Sequence, residues 1–214
     1  MDDIIYRKIK KSDYEKIKKM VDETWHITDC LDHKKVGKIF LNMFINSLLM
    51  IENYTQVAVE NEKVLGVIVG KTKRKNFNLK KILYFINLII DSIKINFIIK
   101  TDKDKNVVKD YMELISTYKK LKNEINRKFD GQIELLAVDE KSRGKRIGKT
   151  LVNNFFEHCK ENNVKNIYLY TDTKCNYKFY DIIGMTQLGE KTGNFKSDLF
   201  GDEDFKVFMY SIDF

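Results

Sequence analysis

The stretch 131–162 constrains this chain more than any other. It opens as an alternating run, with Ile133, Leu135 and Ala137 opposite Glu134, Leu136 and Val138, the period of a half-buried strand. A polar turn follows, containing Arg143, Gly144, Lys145 and Arg146. From Ile147 a helix runs to about Asn162, with Gly148 and Lys149 in its first turn. The first amides of a helix have no intrahelical acceptor, and the helix dipole adds partial positive charge there. Such a turn is suited to a phosphate or pyrophosphate. Gly144 and Gly148 allow the backbone to come close, and Arg143, Lys145, Arg146 and Lys149 add charge. The spacing excludes a P-loop, because only three residues separate Gly144 from Gly148, and it is not the dinucleotide pattern G-x-G-x-x-G.

The rest of the chain alternates strand and helix patterns. Residues 4–9 read as a strand. Ser12 and Asp13 supply a helix N-cap, with Glu15 in the first turn and Tyr14, Ile17, Met20, Val21 and Trp25 at helical spacing. A second helix is expected over about 33–50. Runs 55–59 and 64–69 form a hairpin around Asn61, Glu62 and Lys63. A basic patch, 71–75, precedes two helices near 79–100 and 105–128, with Asp102, Lys103 and Asp104 as the turn between them. After the helix that begins at Ile147 come a strand over 166–170, a short helix over about 177–182, and strands over 185–188 and 205–212. The order β-α-α-β-β-(αα)-β-α-β-α-β-β predicts a mixed α/β sheet without internal repeat.

Composition removes several alternatives. The chain has 214 residues, 43% hydrophobic and 33% charged, which suits one domain over 1–214 with a helical insertion over about 71–130. The net charge of +8 comes from Lys spread along most of the sequence, read as a solvated surface; no nucleic-acid partner is expected. A polyanion or membrane-surface binder, using the 71–81 patch, is the outlying alternative. In the apolar stretch 79–99 the longest uncharged run is 82–90, and Lys80, Lys81, Asp91 and Lys94 interrupt the remainder. That is too short to span a bilayer and reads as a buried or surface-lying helix. Cys30, Cys159 and Cys175 form no zinc or C-x-x-C pattern, so no metal is expected and a reducing cytoplasm fits. The N-terminus lacks the basic-then-apolar pattern of a signal peptide. His26, His33 and His158 show no evident partners and read as surface or cap residues.

Two motifs carry a resemblance. The stretch 135–152 resembles the acetyl-CoA-binding motif of the GNAT superfamily of N-acetyltransferases, [QR]-x-x-G-x-[GA] at the start of its helix. Arg143 matches the first position and Gly148 the last, while Arg146 stands where the first glycine usually falls. An Arg there offers its amide provided φ is negative. The stretch 171–185 resembles the family's N-x-x-(A)-x-x-F-Y-x-x-x-G-[FM] motif. Phe179, Tyr180, Gly184 and Met185 are in register, and Asn176 is closer to Phe179 than is common.

The resemblance implies a mostly antiparallel central sheet flanked by helices, with the two-helix insertion between the third and fourth strands. It implies acetyl-CoA as cosubstrate and an amine acceptor. The backbone of Leu136, Ala137 and Val138 would pair with the pantetheine arm, the amides of Arg143, Gly144, Lys145, Arg146, Ile147, Gly148 and Lys149 would hold the pyrophosphate, and Asn176 and Phe179 would border it. Tyr180 is the candidate acid for the departing thiolate, since a phenol with a pKa near 10 can protonate or hydrogen-bond it. Glu134 is the candidate base for the amine. A backbone amide near Val138 would stabilise the developing oxyanion where strands splay. Nothing near Cys159 or Cys175 would lower a thiol pKa, which argues against a covalent cysteine mechanism. A non-catalytic acyl-CoA sensor on the same fold is the alternative, motivated by Arg146 and the Asn176 spacing. The insertion would wall or cap the acceptor pocket, or form a homodimer surface.

Overall fold

The computed structural model describes residues 4–73, 79–200 and 204–214. Its elements follow the expected order: β1 (Ile5–Arg7), α1 (Tyr14–Trp25), α2 (Lys34–Ile51), β2 (Tyr54–Glu60), β3 (Lys63–Thr72), α3 (Leu79–Ile98), α4 (Asp102–Ile125), β4 (Gly131–Val138), α5 (Ile147–Glu161), β5 (Asn166–Asp172), α6 (Lys178–Ile182), β6 (Thr186–Lys191) and β7 (Val207–Asp213). Arg74 and Lys75 of the basic patch lie outside the described residues.

The strands form one sheet in the order β1-β2-β3-β4-β5-β7-β6. All neighbours are antiparallel except β4 and β5, which pair in parallel over only three positions, Gly131↔Ile167, Gln132↔Tyr168 and Ile133↔Leu169. Beyond Ile133 the two strands separate. The helix α5 joins them, and it has to lie on one face because a parallel pair needs a crossover.

Alternation along the strands builds a core on each face. On one, Ile17, Met20, Val36, Phe40, Val107 and Leu121 of α1, α2 and α4 meet Val57, Val67, Leu135 and Met209. On the other, Leu151, Val152 and Phe155 of α5 meet Ile68, Ile133, Ile167 and Tyr210. α5 approaches so closely that a Cβ on Gly70 of β3 would lie 2.5 Å from the Phe155 ring, so no larger residue fits there without displacing that ring.

Two helix starts differ from expectation. Asp13 is the N-cap residue of α1 but makes no side-chain cap bond to it. Its carboxylate accepts from Arg7 (2.7 and 2.9 Å) and from the Lys10 amide (2.7 Å), closing a 3₁₀ turn over Lys11–Asp13. Asp102, Lys103 and Asp104 are not a turn but the first turn of α4, capped by the Thr101 hydroxyl, which accepts from the Asp104 amide (3.2 Å). The Asp104 side chain, 0% exposed, accepts from the Asp32 amide (2.8 Å) and faces His33 Nδ1 (2.6 Å). His33 thus has a partner that spacing alone did not reveal.

Burial pushes the Asp104 pKa up, but hydrogen bonds from His33, the Asp32 amide and Thr101 outweigh it, and the net shift is downward. A depressed carboxylate contributes stability above its unfolded pKa of about 3.9 and loses it as pH falls through the lower folded value. Asp104→Ala is expected to cost about 2 kcal/mol in urea unfolding at neutral pH, because it strands the Asp32 amide and removes a charged hydrogen bond. The difference from the parent should shrink as pH drops below about 4. A pH-independent difference would assign the loss to packing instead.

α3 packs against α2 and α1. Lys81 Nζ donates to the Glu52 carbonyl (2.5 Å), and the Tyr14 and Tyr84 hydroxyls meet at 3.0 Å. Asp91 and Ile95 are its buried residues, while Leu83, Phe85, Ile93 and Phe97 (78% exposed) face outward. Among the described residues, no helix is long and apolar enough to cross a membrane.

Candidate functional site

The site is set by a bulge in β4. Val69 pairs with Leu135 and the next residue, Gly70, with Ile133, so Glu134 is the extra residue. The bulge shifts the alternation. Ile133 faces α5 with Leu136 and Val138, whereas Leu135 and Ala137 face α1 and α2. The expected grouping of Ile133 with Leu135 and Ala137, and of Glu134 with Leu136, is corrected on this ground. Glu134 instead ion-pairs with Lys71, accepts from Gln132 Nε2 (3.1 Å), and lies in the field of Tyr111, Tyr168, Tyr170 and Lys122.

After the bulge the strand is regular, so the direction of each peptide group follows from one hydrogen bond. The Asp139 amide donates to the Leu65 carbonyl of β3 (2.8 Å). By alternation, Ala137 also turns its amide and carbonyl to β3, and Leu136 and Val138 turn theirs into the gap left by β5. Leu136 and Val138 thus direct their peptide groups into the gap, and Ala137 directs its own to β3.

The loop after β4 makes a 3₁₀ turn over Glu140–Ser142, in which the Arg143 amide donates to the Glu140 carbonyl (3.2 Å) and is therefore not free. Gly144 (φ 84°) and Arg146 (φ 61°) are both left-handed. The condition of a negative φ at Arg146 fails: this Arg holds the backbone angle that a glycine adopts without strain. Helix α5 then begins. Its first internal bond is from the Thr150 amide to the Arg146 carbonyl (3.0 Å), which leaves the amides of residues 147–149 without a helical acceptor. Arg146→Gly is expected to raise unfolding stability by about 1 kcal/mol, the relief of a non-glycine residue in this region. Equal or lower stability in urea would mean that the Arg146 side chain compensates its backbone.

These residues surround a groove of about 480 Å³. It is lined by Leu136, Ala137, Val138, Arg143, Gly144, Arg146, Ile147, Gly148 and Lys149, and by Asn176, Phe179 and Tyr180 from the α6 side. Lys145 is the exception, pairing with Glu60 on β2 (3.3 Å). Thr24, Ser142, Lys174 and Cys175 also line the groove and were missed by sequence reading. A Cβ on Gly148 would make only ordinary contacts, 3.5 Å to Val138 and 3.7 Å to Phe179. Both of those residues wall the groove, so the glycine keeps open space that the fold itself does not need.

A second cavity, about 450 Å³, lies on the other side of the gap between β4 and β5. α4 forms one wall with Tyr111, Leu114, Ile115, Tyr118, Lys119 and Lys122, and α1 and α2 form another with Trp25, Phe40, Phe44 and Ile51. α3 contributes no lining residue. Glu134 lines this cavity and not the groove. Leu136, Cys175 and Tyr180 line both, so the two spaces meet at these side chains.

Tyr180 sits in α6, 9% exposed, and its hydroxyl makes no hydrogen bond to another described residue. Burial, then the nearby Cys175 and Asp172, push its pKa far up and keep it protonated. Burial likewise pushes the Cys175 thiol up, reinforced by Asp172, and the buried Cys159 thiol up to about 12. Both cysteines are held as poor nucleophiles. Among the described residues there is no cluster of three or more His, Cys, Asp or Glu that could hold a metal.

Residues 96–185, from the end of α3 through the groove and Tyr180, match the model of the acetyltransferase (GNAT) family. That segment is similar to the GNAT family of acetyltransferases. No curated protein matches the sequence. Solved GNAT structures share the fold over nearly the whole length. One is a histone acetyltransferase HPA2 and related acetyltransferase from Corynebacterium glutamicum, with TM-score 0.59 and 13% identity over 98% of this chain and 96% of that one. A polyamine N-acetyltransferase of Drosophila melanogaster gives TM-score 0.59 and 11% identity over 99% and 100%. An N-acetyltransferase from Staphylococcus aureus gives 0.53 and 15% over 99% and 98%. At these identities the likeness carries the fold alone.

Proposed function

We propose that the protein transfers acetyl directly from acetyl-CoA to a primary amine at the junction of groove and cavity. The observation that carries this reading is the meeting of a basic, amide-lined groove and a mostly apolar cavity at Leu136, Cys175 and Tyr180. Acetyl-CoA supplies the activated acyl carbon and a sulfur leaving group. The amides of residues 147–149, with Arg143, Arg146 and Lys149, receive the pyrophosphate. Leu136 and Val138 present peptide groups to the pantetheine arm, and the Val138 amide points to where the carbonyl oxygen gains charge.

The amine nitrogen forms its bond to the acyl carbon as the C–S bond breaks. The ammonium first releases one proton to solvent; the second, shed by nitrogen as the amide forms, balances the one that Tyr180 passes to the departing sulfur. Tyr180, protonated and unpartnered, has the donor character the step needs. Glu134 lines the cavity but is engaged by Lys71 and Gln132, so we assign it to the cavity wall rather than to the base.

The reading of a non-catalytic acyl-CoA module rested on Arg146 and Asn176. Arg146 keeps the backbone angle of a glycine and Asn176 lines the groove, so neither departure favours it. The test of direct transfer is intact-mass spectrometry. With acetyl-CoA alone the protein mass should stay unchanged, and acetylated amine should appear once amines are added. A protein one acetyl group heavier at Cys175, discharged by amine, would replace direct transfer with a covalent route.

A further inference from the structure

The apolar cavity holds one buried carboxylate that has no cationic partner among the described residues. Asp172, at the end of β5, is 3% exposed and lines the cavity close to Tyr180 and Cys175. Its oxygens accept from the Lys174 amide (2.9 Å), from Trp25 Nε1 (3.4 Å) and from Cys175, and it joins no ion pair among the described residues. A buried, unpaired carboxylate is costly and gains most from an arriving cation. Burial pushes its pKa up against the hydrogen bonds that favour the charged form.

The remainder of the cavity has the opposite character. Trp25, Phe40, Phe44, Tyr111, Tyr118 and Tyr170 line it with ring surface, and Tyr118 stacks on Tyr170 at 4.3 Å. Ile51 and Ile115 stand partly exposed among the lining residues. On the α4 wall, Lys119 and Lys122 line the cavity, and the second carboxylate, Glu134, is already paired with Lys71. A cation entering beside α4 would meet like charge.

We infer that this cavity is the acceptor site for a primary monoamine on an apolar or aromatic body, its ammonium met by Asp172 and its body held by the ring-lined wall. The inference rests on the acetyltransferase reading for the fate of the amine, but not for its binding. It sets this chain apart from a polyamine site, because a second ammonium would face Lys119 and Lys122. Asp172 precedes the 173–176 turn, and its placement depends on the splay of β5, which a sequence pattern does not encode.

The experiment compares hexylamine, phenethylamine and hexamethylenediamine as acceptors with the full chain, and measures by calorimetry the binding of phenethylamine to the protein saturated with CoA. The expected result is a kcat/KM for each monoamine at least about tenfold above that of the diamine of matching length. Asp172→Asn should raise the monoamine KM about tenfold or more with acetyl-CoA affinity unchanged. Lys119→Glu, at an exposed position that leaves the fold intact, should narrow the gap between hexylamine and hexamethylenediamine severalfold. Equal or better use of the diamine, or an unchanged monoamine KM in Asp172→Asn, overturns the inference. If phenethylamine binds in an Asp172-dependent way and no amine is acetylated, the acceptor site stands and the transferase reading fails. If phenethylamine neither binds nor reacts, the acceptor site itself is refuted.

Discussion

Tyr180→Phe is expected to lower kcat at least tenfold and leave the Kd for acetyl-CoA within about twofold. A tenfold loss corresponds to about 1.4 kcal/mol of transition-state stabilisation, the scale of one hydrogen bond to a developing charge. The substitution keeps the ring, which packs edge-on to Phe179 (5.4 Å between centroids) and beside Tyr210 (5.5 Å). The hydroxyl has no hydrogen-bond partner to lose among the described residues, so unfolding stability should not change. That combination isolates the chemical role. Thiol release in the presence of saturating amine reads kcat, and calorimetry reads Kd. An unchanged kcat would remove Tyr180 from the step.

Gly148→Ala is expected to weaken acetyl-CoA binding at least tenfold while stability is unchanged or higher by up to about 1 kcal/mol, the gain in helix propensity. The two effects separate because the added Cβ meets no fold constraint, with 3.5 Å to Val138 and 3.7 Å to Phe179, yet it projects between the groove walls just where the helix offers its free amides. Weaker binding together with a lower melting temperature would mean that the glycine serves packing. Unchanged binding would move the pyrophosphate away from the start of α5.

What could be read in the sequence was what depends on neighbours in the chain. The strand, loop and helix from Gly131 to α5 came from periodicity and glycine placement, and the register of Phe179, Tyr180, Gly184 and Met185 came from a motif resemblance. The mixed, mostly antiparallel sheet followed from the resemblance. What could not be read depends on pairing across the sheet or on packing between distant segments. The Glu134 bulge exists because β3 and β4 fall out of register at Gly70, and it turned a predicted base toward Lys71. Lys145 was counted with the phosphate cradle because it is basic and adjacent, yet it pairs with Glu60 on β2. The His33 and Asp104 pair spans 71 positions. The insertion was read as one apolar unit, but its two helices separate in role: α4 walls the cavity, and α3 packs on α2 with an exposed apolar face.

The central claim is that the groove and the cavity form one transferase site. Its most direct test is thiol release from acetyl-CoA by the full chain, with and without a panel of primary amines, and with the products identified by mass spectrometry. The predicted result is slow release without amine, release that saturates with amine concentration, and one N-acetylated product per thiol freed. Tight acetyl-CoA binding with no amine-dependent release across the panel would contradict the claim.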